Sequence, residues 1–172
     1  HSVDTSAPVE PIPGLEKFTE SDDYFLIVSR LLPYKNVDKA VEACNELGKK
    51  LLVIGRGPEK ERLEALAGPT VRIASGVSDA QLRYAYRHCL ALLAISYEDF
   101  GITPLEAGAS GKAVIAYRAG GFLDTIQEGK TGMFIEQPTV ERLVEALKAF
   151  NPDDWDADYI REHVDGFSEA RF

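Results

Sequence analysis

Residues 24–54, YFLIVSRLLPYKNVDKAVEACNELGKKLLVI, hold an apolar run, an amphipathic stretch and a second apolar run with little between them. In the middle, Val37, Ala40, Val41, Cys44 and Leu47 recur at three- and four-residue intervals, the spacing of one face of an α-helix. The flanking runs, 24–32 and 51–54, are continuously apolar rather than alternating, as strands covered on both faces must be. Strand, helix and strand in that order predict a parallel pair joined by a crossover helix.

The same alternation continues on the C-terminal side. Helical stretches over 59–66, 79–87, 104–110, 122–128 and 139–150 are interleaved with apolar runs at 71–74, 89–95, 113–117 and 132–135. Together these predict an α/β fold: a single Rossmann-like, doubly wound parallel sheet of about six strands with helices on both faces. Residues 1–22 are polar, carry Pro8, Pro11 and Pro13 and show no periodicity, so they read as a linker or strap. His1-Ser2 has the look of a cloning remnant. The domain proper spans 23–150, and 151–172 reads as a helical tail.

Composition narrows the function. A net charge of −9 argues against nucleic acid as a partner, because a phosphate backbone demands clustered Lys and Arg. No apolar run approaches the roughly 20 residues that span a bilayer, and no secretory leader pattern opens the chain. Cys44 and Cys89 lie in apolar stretches without a Cys-x-x-Cys pair and read as reduced core thiols of a cytoplasmic protein.

In a doubly wound sheet ligands bind beyond the carboxyl ends of the strands, so the loops there decide the chemistry. After the first run come Arg30 and Lys35, two cations, with Lys35 expected to open the next helix. A cation there opposes the macrodipole unless an anion is bound; pairing of Arg30 with Glu42 or Asp38 is an equally simple account. After the second run, Gly55-Arg56-Gly57-Pro58 permits close backbone approach, either to a ligand or in a plain tight turn. As a dinucleotide fingerprint it fails, since the third glycine would fall at Lys60. After the fourth run, Glu98-Asp99-Phe100-Gly101-Ile102-Thr103-Pro104-Leu105-Glu106 leads into a helix. Gly101 leaves amides uncovered at the helix start, where a phosphate or sugar oxygen can accept them, and Glu106 offers a carboxylate to ribose hydroxyls. Taken singly, Glu98 is explained as a turn residue and Glu106 as first-turn compensation of the dipole. Gly120-Gly121 and Gly129-Lys130-Thr131-Gly132 read first as turns.

As an ordered set, these residues resemble the C-terminal half of retaining glycosyltransferases of the two-Rossmann-domain (GT-B) type, in particular the family with a Glu, seven residues, Glu signature. Here that signature is Glu98 to Glu106, joined by Ser29-Arg30-Leu31 with Lys35, Gly55-x-Gly57-Pro58, Gly76-Val77-Ser78-Asp79, Gly120-Gly121 and Gly129-x-x-Gly132. The resemblance implies that Arg30 and Lys35 bind the diphosphate of a nucleoside-diphosphate sugar and stabilise it as it leaves. It implies that Glu98 lies near the transferred sugar, that the amides of Phe100, Gly101 and Ile102 contact the donor, that Glu106 holds the ribose, and that Val77 lies near the base. The implied partner is a GDP-, UDP- or ADP-linked hexose, with mannose from GDP-mannose the first guess, and the acceptor is a glycan or glycolipid. No metal or organic cofactor is implied. The family's N-terminal, acceptor-binding domain is not in these residues, so the chain alone is expected to bind donor weakly and to transfer nothing. The resemblance further implies a transferase in the cytoplasm, peripheral to the membrane through the missing half, with residues 3–5 as interdomain strap. A non-catalytic nucleotide-sugar-binding module and a sugar-nucleotide epimerase are the alternatives. Two Asp-x-Asp matches, at 154–156 and 156–158, follow Asn151-Pro152 and read as helix-starting acids rather than metal ligands. His88 and His163 read as structural.

Overall fold

Six strands form one parallel sheet: β1 (Tyr24–Val28), β2 (Lys50–Ile54), β3 (Val71–Ala74), β4 (Ala91–Ala94), β5 (Val114–Tyr117) and β6 (Gly132–Ile135), in the order β3-β2-β1-β4-β5-β6. The computed structural model describes residues 7–171, with side chains to 167; His1-Ser2 and residues 3–5 lie outside the described residues. The predicted doubly wound α/β fold is the observed one. The chain winds outward from β1 to β3, returns to β4 beside β1, and winds the other way, which puts the topological switch between β1 and β4.

Strand pleating sorts the apolar runs onto two cores. Phe25 and Ile27 of β1 face α2 (Val37–Leu47), α3 (Lys60–Leu66) and α7 (Val140–Ala149), where Val41, Leu63, Leu143 and Leu147 are buried against them. Tyr24 and Leu26 face the other way, toward α4 (Asp79–His88), α5 (Ile102–Ala109) and α6 (Phe122–Thr125), and pack with Tyr86, Ala107 and Phe122. Burial on both faces is why the strands read as unbroken apolar runs. Both cysteines are free and buried, and burial pushes each thiol up to about 12.

The two ends of the chain carry more structure than their composition suggested. Residues 7–15 run across α4: Arg83 Nε donates to the Pro8 carbonyl at 3.1 Å, and the Glu10 amide donates to the Ala80 carbonyl at 3.2 Å. Ile12 is buried in the second core, and a short α1 (Glu16–Thr19) interrupts what read as a featureless linker. At the other end, Asp156 Oδ1 accepts from the amides of Asp158 and Tyr159 and so caps α8 (Ala157–Arg171), the helix-starting role expected of these acids. Helix α8 lies on α5 where Gly108 leaves room, since a Cβ there would collide with Val164. Ile160 and Val164 are buried, and His163 Nε2 lies 2.9 Å from the Thr125 carbonyl. The other histidine that read as structural, His88, pairs with Asp22 at 2.7 Å and stacks on Tyr84, away from the carboxyl edge.

Lys35 does not open a helix. Residues Pro33–Lys35 form a single 3-10 turn, and Asn36 follows in the left-handed conformation (φ 62°, ψ 22°) before α2 starts at Val37. Asn36 Nδ2 donates to the Ile95 carbonyl at 3.0 Å, so a bond to the end of β4 imposes the break. Asparagine tolerates that conformation better than most residues. The macrodipole argument for an anion at Lys35 therefore falls away.

If α8 is an integral part of the domain, Ile160→Ala should destabilise it by about 2–4 kcal/mol and lower the thermal midpoint by roughly 5–15 °C. Scanning calorimetry checks this; an unchanged midpoint would mean that α8 docks without contributing to stability.

Candidate active site

A cavity of ≈ 210 Å³ opens at the switch point. Its walls are the end of β1 (Ile27, Val28, Ser29), the end of β4 (Leu93 to Ser96), Lys35, Glu98 and the start of α5 (Gly101, Ile102, Thr103), with Phe100 and Phe122 at its side. Lys35 and Glu98, predicted from different loops, meet here: Lys35 Nζ pairs with Glu98 Oε1. Ser96 Oγ donates to the same oxygen at 2.7 Å. Both donors engage Oε1, so the carboxylate is held at one oxygen, and Oε2 has no hydrogen-bond partner among the described residues. The lysine side chain is only 12% exposed, so this pair is less screened than the surface ion pairs of the chain.

The N-terminus of α5 adds a second source of positive potential. Its N-cap, Gly101, has no side chain to cover the first amides, and no acid lies in the first turn. By contrast, α4 starts with a closed capping box in which Ser78 and Gln81 satisfy each other. Residue 101 has to be small: a Cβ there would lie 2.6 Å from the Phe122 ring. Phe100 and Ile102 turn their side chains outward, 71% and 63% exposed, while the backbone between them faces the cavity.

A second cavity, between the ends of β1 and β2, shares Val28 and Ser29 with the first and is lined by Arg30, Gly55, Arg56 and Gly57. Arg30 has no carboxylate partner among the described residues. Asp38, a local candidate, is instead bound by Arg62 at 3.2 Å with Lys39 at 3.9 Å. Gly55 and Gly57 serve the loops themselves, because a Cβ at either would collide with the carbonyl of Ser29 or Leu31. Ser75 Oγ donates to the Gly55 carbonyl at 2.6 Å and ties in the loop after β3.

Glu106 lies beyond the first turn of α5 and so does not act as first-turn compensation of the dipole. Its Oε2 accepts from the Tyr86 hydroxyl at 2.7 Å. Burial pushes the Glu106 carboxyl above its ordinary range, and the Tyr86 hydrogen bond pulls it back. Burial, reinforced by the Glu106 charge, holds the Tyr86 phenol well above its usual value, so it stays a donor. Val77 packs against the second core and lines neither cavity.

Tyr86, Ser96 and Arg56 were not anticipated from sequence. Ser96 carried a usable signal, a small hydroxyl at a strand end two residues before Glu98; Tyr86 carried none beyond its place on an amphipathic helix. The Gly120-Gly121 pair makes the turn its sequence predicts and also forms a seat. The Gly121 amide donates to the Glu98 carbonyl at 2.7 Å, and a Cβ on either glycine would collide with the Glu98 or Asp99 carbonyl.

The family described as Glycosyl transferases group 1 matches residues 11–164. The chain belongs to that family. A glycogen synthase of Pseudomonas syringae pv. syringae is 32% identical over 133 residues, covering 72% of this chain and 27% of that protein. A GDP-mannose-dependent alpha-(1-6)-phosphatidylinositol monomannoside mannosyltransferase of Mycobacterium tuberculosis is 32% identical over 138 residues, covering 70% of this chain and 36% of that protein. This glycosyltransferase domain thus spans between a quarter and two-fifths of the length of these two relatives. Its fold is that of the GT-B glycosyltransferases. Sucrose-phosphate synthase from Thermosynechococcus elongatus superimposes with a TM-score of 0.78 at 23% identity, over 92% of this domain and 45% of that chain. Anabaena HepE, solved with UDP and glucose, superimposes with a TM-score of 0.75 at 17% identity, over 91% of this domain and 46% of that chain.

Gly121→Ala is expected to cost about 1–3 kcal/mol, because backbone rather than a flexible side chain has to move. At Gly129, with φ +81° and open space around it, alanine meets only the conformational penalty of about 1 kcal/mol. Urea unfolding of both variants tests the contrast; equal small losses would show that the Glu98 loop adapts to a methyl group.

Proposed function

We propose that this chain is the donor-binding half of a retaining hexosyltransferase, which uses a nucleoside-diphosphate sugar and a glycan or glycolipid acceptor held by an N-terminal half of a longer protein. The observation that carries the reading is the convergence of Lys35, Glu98 and the uncapped start of α5 on one crevice at the switch point. In this reading the donor diphosphate lies across Arg30, Lys35 and the amides of Gly101 and Ile102. Glu98 accepts a hydroxyl of the transferred sugar through Oε2, and Glu106 accepts the ribose. Breaking the anomeric carbon–oxygen bond leaves negative charge on the diphosphate, and fixed cations and amides stabilise that charge without reorganising. The acceptor attacks from the face the diphosphate leaves, its proton passing to the departing phosphate oxygen, which retains the anomeric configuration.

GDP-mannose is the donor to test first, since one relative is named as GDP-mannose-dependent. The reading needs neither a metal nor an organic cofactor. Among the described residues no helix is long and apolar enough to cross a membrane, and the reading places contact with the cytoplasmic membrane face in the N-terminal half.

Thermal unfolding with GDP, UDP, ADP and NAD is the direct test. At a hundredfold excess over Kd, one nucleoside diphosphate should stabilise the domain by about 2.7 kcal/mol, an upward shift of roughly 5–10 °C. Arg30→Ala and Glu106→Ala should each reduce the shift. A response to NAD alone, or to none of the four, would sink the donor-site reading. Hexose transfer by the longer protein should survive EDTA. Failure to transfer from any of the three sugar nucleotides would favour a non-catalytic module or an epimerase.

A further inference from the structure

Glu106 does not line the Lys35–Glu98 crevice but stands one turn further along α5 than Ile102 and Thr103, which do. Its two oxygens are in different situations. Oε2 accepts from Tyr86, whereas Oε1 has no hydrogen-bond partner among the described residues. A carboxylate on three rotatable bonds, half-buried at the side of a helix, has several rotamers available, and an acceptor aimed at a ligand needs one. Tyr86 is the mount that selects it. Tyr86 is 3% exposed and lies in the second core, so its hydroxyl has little freedom to move. Helix α4, which carries it, is fixed at its start by the Ser78–Gln81 box and across its face by the bonds from Arg83 to Pro8 and from Glu10 to Ala80. The Tyr86 hydroxyl is thus tied to the sheet through buried contacts, and Glu106 takes its orientation from it.

We infer that Tyr86 is a positioning residue that holds Glu106 Oε2 so that the carboxylate presents Oε1 and its remaining lone pairs to a vicinal diol, and that this contact sets a preference for ribo- over deoxyribonucleoside diphosphates. The inference rests on the reading of Glu106 as the acceptor of the donor's ribose hydroxyls. A rigidly held carboxylate discriminates because a missing hydroxyl leaves a partly desolvated acceptor unpaired. A loosely held one turns to water and discriminates less.

The test is a set of dissociation constants, by calorimetry, for GDP, UDP and ADP and for the 2′-deoxy and 3′-deoxy forms of each nucleotide that binds. The proteins are the wild type, Tyr86→Phe, Glu106→Ala and the double variant. Wild type should bind the ribonucleotide about tenfold or more tightly than at least one deoxy form. Tyr86→Phe should weaken the ribonucleotide about tenfold, leave that deoxy form within about twofold, and add nothing further in the Glu106→Ala background. Each ratio is read on the folded fraction of one sample, so partial unfolding lowers the stoichiometry without mimicking the effect. Equal weakening of both forms by Tyr86→Phe, or a loss that persists without Glu106, overturns the positioning role while leaving the ribose reading intact. A ribose preference that survives Glu106→Ala, or a wild type that binds none of the nucleotides, overturns the ribose reading and the role of Tyr86 with it.

Discussion

Where the loops after β4 and β5 cross, the Gly121 amide meets the Glu98 carbonyl at 2.7 Å and neither Gly120 nor Gly121 has space for a side chain. On the far side of the crevice the loops after β1 and β2 cross the same way, with Gly55 against the Ser29 carbonyl and Gly57 against that of Leu31. Backbone therefore rests on backbone on both flanks of the switch point. Such contacts have no rotamers through which to relax, so they fix the loops after β1 and β4 more firmly than side-chain packing would. Those two loops carry Lys35 and Glu98, and Asn36 braces them directly through its bond to the Ile95 carbonyl. The separation of the two loops, and with it the size of the crevice, follows from these crossings.

The electrostatics of this edge run against those of the chain. A protein of net charge −9 gathers Arg30, Arg56 and Lys35 at the carboxyl ends of β1 and β2 and starts α5 with neither a cap nor an acid. Among the described residues only Glu98 enters the crevice as a negative group, and it is joined to Lys35 and Ser96 through a single oxygen. A sheltered pair of this kind gives little net stability, because desolvation offsets attraction, but it pre-sets the positions of both charges. An anion placed near Lys35 would meet a cation already in position, and a hydroxyl placed near Glu98 would meet an oxygen with no hydrogen-bond partner among the described residues. Preorganisation of this sort lets a site act on developing charge without spending binding energy on rearrangement.

The amino-acid sequence by itself determined the fold class, the six strands, most helix bounds to within two residues, and the strand-end loops in which a ligand is expected. These follow from local periodicity and from the rule that a doubly wound sheet binds at its carboxyl edge. It also named Arg30, Lys35, Glu98, Gly101 and Glu106, because charge and glycine at strand ends are visible in one dimension. What only the tertiary structure decided were the partnerships. Lys35 ends a turn instead of opening a helix because Asn36, taken up by a carbonyl 59 residues away, adopts a left-handed conformation. Gly55, Gly57, Gly120 and Gly121 are small because another loop touches them, and nothing in their own neighbourhood says which. Tyr86 meets Glu106 across two helices, and Ser96 and Lys35 converge on one oxygen of Glu98. Periodicity reports which face of an element is buried, whereas the identity of the group it meets depends on how separate elements stack, and that information is non-local.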